Sequence, residues 1–234
     1  MAPPIRKTRL DPEGVRQRIL DAAESLFAER GYAATPLRDV AAIAGVPVSL
    51  ITHHFGTKED LFKQVIARRI HDHVASMRAQ LETARQQAAG APIGAEAFVR
   101  AYIGPMISLS VHGGPGWKNY ARLLGLAMNS RQYEEFLKPM IEVYDPVNAE
   151  FVGELRRIYP DAALRSLHWG MYFLNSTILH VLVEAGMVDR QSQGLCRSAE
   201  LEAILEEMVP FFAAAFAQRL GGKATPLPEA NLPI

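Results

Sequence analysis

Two adjacent histidines, His53 and His54, close the run GVPVSLITHHF, and a second turn-like stretch, FGTK, follows at once. Imidazoles at the end of a helix can donate hydrogen bonds to an anion. Ser49 and Thr52 are small and polar, Leu50 is apolar, and all three could approach a surface closely. Lys58 stands in the first turn of the following helix, where its charge and unsatisfied backbone N–H groups would point to one place. Thr35 opens the preceding helix in the same way, with Arg38 one turn on. This set suits contact with a polyanion: hydroxyls and an apolar side chain for base edges, imidazoles and cations for phosphates. The plainer alternatives stay open: His53 and His54 as caps and packing at a helix end, and Arg38 as a solvated side chain.

A second group lies further along. Met106, Leu109, Phe136, Met140, Tyr144, Trp169, Tyr172 and Phe173 supply large apolar or aromatic surface, and His168, Asn175 and His180 are polar residues in an otherwise apolar helix. These residues either line a ligand pocket with polar anchors or form ordinary core. Catalysis has no support: no nucleophile–base–acid set, phosphate loop or zinc spacing is visible. His71 and His73 are two apart on a helix and point to opposite sides, so they cannot chelate one ion together. HGGPG is glycine-rich but lacks the strand-then-helix context of a phosphate cradle. No metal and no cofactor are expected.

The elements that position these residues are helical almost throughout. Apolar residues recur every three or four positions, and period-two runs of β-branched residues are absent. Residues 1–10 read as a flexible basic arm carrying Arg6, Lys7 and Arg9. Asp11, Pro12 and Glu13 start a first helix that ends at Gly31. Thr35-Pro36 opens a second helix that ends at Gly45, and Pro47 restarts the chain as a short third helix to about His54. Thr57 with Asp60 resembles a capping box, opening one long helix to about Gln87. After the AAGAPIG linker, helices are expected at about 94–111, 117–128, 131–158, 161–186 and 198–220, with loops at 112–116 and 187–194 and a frayed tail over 221–234. A second and third helix joined by a tight glycine turn have helix-turn-helix spacing, in which the later helix enters the major groove.

Composition agrees with such a reading. Twenty-five basic side chains balance twenty-five acidic ones, which argues against a protein that coats nucleic acid non-specifically but permits a local basic face. The lone cysteine, Cys196, cannot form an intramolecular disulfide, and no signal peptide or membrane span is visible, so a cytoplasmic location is expected.

The stretch ILDAAESLFAERGYAATPLRDVAAIAGVPVSLITHHFGTKEDLF, within residues 15–69, resembles the DNA-binding domain of the TetR/AcrR family of bacterial repressors. The landmarks stand in register: the ILDAA…LF helix, GY before a threonine, AxxAGV, a helix ending HHF, and KEDLF. The resemblance implies an all-α, two-domain homodimer: a helix-turn-helix domain over 11–56, a connecting helix over 57–87, and a ligand-binding and dimerisation domain over 94–220. It implies that Thr35 caps helix two at a phosphate, that His53 and His54 contact backbone, and that Lys58 opens helix four at the DNA. The chain departs from the family's usual pattern at 47–52, where it reads Pro47, Val48, Ser49, Leu50 and Thr52 and lacks the usual tyrosine at 52. LHWGMYFLNSTILHVL and ILEEMVPFFAAAF resemble a subgroup associated with fatty-acyl effectors.

The expected partners are a near-palindromic double-stranded operator, a second copy paired through helices 161–186 and 198–220, and a small apolar effector, with no membrane. A shift of the C-terminal end of the connecting helix is the expected switch. The rival readings are a helical ligand-binding or scaffolding protein that no longer binds DNA and, more remotely, an enzyme.

Overall fold

Eight apolar positions of the first helix, α1 (Pro12–Arg30), turn inward, among them Val15, Ile19, Ala23, Leu26 and Phe27, and Glu24 is buried with them. The computed structural model describes residues 12–128, 134–183 and 186–222, with backbone alone at 134–136. The arm residues Arg6, Lys7 and Arg9, the tail and the side chain of Phe136 fall outside the described residues. Every described element is a helix, and none is long and apolar enough to cross a membrane.

α2 (Leu37–Ala44) and α3 (Val48–Phe55) are joined by a turn at Gly45, whose φ of 66° lies in the left-handed region that glycine enters without penalty. α2 turns Val40, Ala41 and Ala44 inward, and α3 turns in Ile51 and Phe55. Phe62 meets Phe27 and Tyr32 edge-on at centroid distances of 5.1 and 5.0 Å, and these contacts lock the start of α4 (Lys58–Ala67) against α1.

The connecting helix is not continuous. α4 ends at Ala67, Arg68 and Arg69 form a break, and α5 runs from Ile70 to Gln87. The reason lies in two neighbouring side chains that both reach α1. Arg68 donates to Asp21 at 2.7 Å, and Arg69 donates to both oxygens of Glu24 at 2.9 and 3.2 Å. Successive residues of an unbroken helix diverge too far to serve one neighbouring helix together.

α6 (Ala95–His112) packs between α5 and α11 (Leu201–Leu220), α7 (Pro115–Met128) crosses α1, and α8 (Glu134–Ile158) lies on α4 and α5. α9 (Leu164–Val181) stops short of the expected 186, and a short α10 (Met187–Gln191) stands where a loop was expected. Arg85 near the end of α5 donates to Glu150 at 3.0 Å and Glu154 at 3.0 Å, so that end is fastened to α8.

Candidate nucleic-acid interface and effector cavity

α3 is amphipathic on a small scale. Ile51 and Phe55 seat it on the core, and Leu50 packs beside them. Val48, Ser49, Thr52 and His53 face outward. At 100° per residue these four span about 140° of the helix, one continuous face. The Thr52 hydroxyl donates to the Ser49 carbonyl at 3.0 Å. His54 is half-buried, with its ring 5.5 Å from that of His53 and 6.2 Å from Phe55.

Thr35 is not where the resemblance implied. Its side chain is fully buried, and its hydroxyl donates to Gly31 O at 2.8 Å, with Leu26 O 3.3 Å away. It seals the carboxyl end of α1 and cannot meet a phosphate. The residue before α2 is Pro36, which provides no side-chain cap.

Arg38 is 83% exposed, and its Nε lies 3.5 Å from Asp39, which Arg30 also pairs with at 3.3 Å. Lys58 is half-buried: its ammonium sits 4.3 Å above the Tyr32 ring and 3.5 Å from Ala33 O, and desolvation lowers its pKa. It thus braces the α1–α2 loop at the edge of the α3 face. The amino end of α4 is capped by the chain itself. Asp60 accepts from the Thr57 N–H at 3.0 Å, and Thr57 Oγ1 accepts from the Asp60 N–H at 3.1 Å. The bonds from Thr57 lower the Asp60 pKa. An open anion site was expected there, and a carboxylate already fills part of it. Gly56, at φ 80°, permits this close return, because a Cβ there would meet Asp60 Oδ2 at 2.9 Å.

The second site is a cavity of about 300 Å³ enclosed by α5, α6, α7, α8 and α9. Of the expected pocket residues, Met106, Met140, Tyr144 and Asn175 line it. Leu109 packs against the core instead. Trp169, Tyr172, Phe173 and His180 do not belong to it. All four are exposed on the outer side of α9, where the three aromatic rings pack on one another at 5.6 to 6.0 Å. α9 is apolar on two faces, and Leu167, Met171, Leu174 and Ile178 occupy the inner one. Periodicity alone does not distinguish the two faces. Trp169 and Phe173 also line a groove of about 390 Å³ between α9 and α11, and Phe211, 71% exposed, lies 5.5 Å from the Phe212 ring of that groove.

Residues passed over by the sequence reading give the cavity its polar corner. His73, from the apolar stripe of α5, lies 2.5 Å through Nδ1 from the Tyr144 hydroxyl, and its buried Nε2 has no hydrogen-bond partner among the described residues. Burial lowers its pKa to about 4, so the ring is neutral near pH 7. The Tyr102 hydroxyl donates to Asn148 Oδ1 at 3.0 Å, with Asn175 Oδ1 at 3.3 Å. Burial raises the pKa of Tyr102 and Tyr144. Met77, Ile103, Leu124, Met128 and Ile178 complete much of the apolar wall. For His73, the signal in the sequence is a histidine at an apolar-stripe position of α5.

Residues 19–65 match the model for bacterial regulatory proteins of the tetR family, and residues 100–215 match that for a tetracyclin repressor-like C-terminal domain. The chain is 39% identical over 66 residues to the transcriptional repressor KstR2 of Rhodococcus jostii, covering 28% of this chain and 32% of that protein. It is 37% identical over 73 residues to the regulator TtgR of Pseudomonas putida, covering 30% and 35%. These matches span about a third of the length of the curated relatives. Among solved structures, the fatty acid degradation regulator FadR of Bacillus halodurans superposes with a TM-score of 0.61 at 17% identity, covering 85% of this chain and 97% of that one. FadR of Bacillus subtilis, solved in complex with stearoyl-CoA, gives 0.58 at 17%, covering 83% and 97%. These likenesses are of fold.

Proposed function

The chain belongs to the TetR family of bacterial regulatory proteins, and from that premise we propose that it is a DNA-binding transcriptional repressor released from its operator by a small apolar effector. The observation that carries this reading is the outward face of α3, with Val48, Ser49, Thr52 and His53 exposed while Ile51 and Phe55 anchor the helix. Such a short, braced helix with small side chains outward fits a major groove. Arg38, His53, His54 and Lys58 supply the surrounding phosphate contacts.

Two copies pair through the outer aromatic face of α9 and the Phe211 side of α11, forming a four-helix bundle. An exposed apolar patch of this kind is a usual mark of an interface. Twofold pairing sets the two α3 helices against successive major grooves of a near-palindromic site.

The effector occupies the cavity between α5 and α9. An acyl chain is one such ligand, a suggestion supported by the similar FadR regulators. The switch works at the amino end of α5, not at its carboxyl end, which Arg85 fastens to α8. His73 and Met77 touch the cavity one and two turns beyond the break at Arg68–Arg69, and that break is tied to α1 through Glu24. A ligand that fills the cavity better in one setting of α5 shifts the population of α1–α3 positions, and only this difference in affinity drives release.

A gel shift on the chain's own upstream DNA at several salt concentrations tests the reading. Binding should weaken steeply with salt and fall in His53→Ala and Lys58→Ala. A helical scaffold that no longer binds DNA would show neither, and that outcome would replace this proposal.

A further inference from the structure

Every residue of α3 is described, and its outward face has an unusual chemistry for a helix that reads bases. VSLITHHF contains no arginine, lysine, asparagine, glutamine or carboxylate. The two-bonded contacts that discriminate guanine by Arg or Lys and adenine by Asn or Gln are therefore beyond its means. What it offers falls into two parallel ridges at i, i+4 spacing. Ser49 and His53 form a polar ridge. Val48 and Thr52 form the other, with Val48 40% exposed.

Thr52 belongs with valine here. Its hydroxyl donates to the Ser49 carbonyl at 3.0 Å, one turn back in the same helix, so it has no proton left for a base. The hydroxyl can still accept a hydrogen bond, and the γ-methyl supplies the apolar part of the side chain. Ile43 of α2, before the Gly45 turn, is exposed as well.

We propose that Val48 and Thr52 determine the operator's sequence by contact with thymine C5-methyl groups. This deepens the reading of α3 as the groove-binding helix and rests on it. The thymine methyl is the one apolar feature that the major groove presents, so an apolar ridge selects thymine there and is indifferent to the hydrogen-bond code. Residues at i, i+4 stand about 6 Å apart, close to two base steps of 3.4 Å. Each half-site thus carries two thymines about two positions apart. Ser49 adds a single hydrogen bond on the neighbouring base edge, and His53 takes a phosphate.

The test uses the full chain and duplexes enriched from a randomised DNA pool. In the tightest selected duplex each thymine is replaced in turn by deoxyuridine, which removes one methyl and leaves every hydrogen-bonding group. The expected result is a loss of about fourfold in affinity at each contacted thymine and none outside the half-site core, the size expected for one buried methyl. In Val48→Ala, which is safe for folding because the side chain lies outside the core, one of those positions should become insensitive to the replacement. Replacing cytosine by 5-methylcytosine at that position in a T·A-to-C·G variant should restore part of the wild-type binding. If selected duplexes bind and no deoxyuridine replacement weakens them, or the losses are identical in Val48→Ala, methyl readout is overturned while DNA binding stands. If the pool yields no enriched duplex, the groove-binding role of α3 fails, and this proposal with it.

Discussion

Replacing Glu24 by glutamine removes one charge and almost no volume. The Glu24 side chain is 1% exposed and faces Arg69 at 2.9 Å and Arg68 at 3.7 Å, while Arg69 also lies 5.2 Å from the Trp117 ring of α7. This contact joins α1 to the break before α5 and, through Trp117, to α7. In Glu24→Gln one amide oxygen remains for Arg69, but the amide nitrogen turns a donor toward guanidinium donors. Arg68 then keeps Asp21, itself largely exposed, while Arg69 loses the carboxylate it pairs with. Removing one partner of a buried pair costs about 3–5 kcal/mol, because the charge left behind stays desolvated. For a chain of this size that corresponds to a fall in Tm of roughly 6–20 °C. Thermal and urea unfolding followed by far-ultraviolet circular dichroism measure it. Arg69→Met should cost a similar amount, and the double variant should cost clearly less than the two losses together. A Glu24→Gln protein within 1 kcal/mol of the wild type, or strictly additive losses, would refute the idea that this ion pair holds the two parts together.

Gly116→Ala should act on the same contact from the opposite side, since a Cβ there would come within 2.9 Å of Glu24 Oε1 and closer still to Arg69 Nη2; a Tm fall comparable to that of Glu24→Gln is expected. His73 should make stability depend on pH, because between its unfolded value of 6.5 and its folded value of about 4 the unfolded chain takes up a proton that the folded chain refuses. Its neutral form therefore contributes nothing adverse above pH 6.5, and stability is lost as pH falls through that window, by up to about 3 kcal/mol; urea titrations at pH 7.5 and 4.5 should show this loss shrinking in His73→Gln. Phe211→Asp places a charge in the outer aromatic face and should shift the chain to monomers in light scattering, while its helical content stays that of the wild type.

The residues themselves determined a good deal. The inward positions of α1, α2 and α3 follow from apolar spacing, the Gly45 turn from the freedom of glycine, and the Thr57–Asp60 cap from two side chains three residues apart. These features are local, so a short stretch of chain contains their whole cause. Contacts between distant segments decided the rest. Thr35 has the right type for a helix cap, yet carbonyls at the end of α1 claim its hydroxyl. Arg68 and Arg69 would continue a helix, yet Asp21 and Glu24 interrupt it from more than forty residues away. Trp169, Tyr172 and Phe173 are as apolar as the buried positions of α9, yet they face outward, while His73 is carried into the cavity. Periodicity reveals how many apolar faces a helix has. Which face meets the core, and which polar group loses water there, depends on the packing partner, and that partner is chosen only when the whole chain folds.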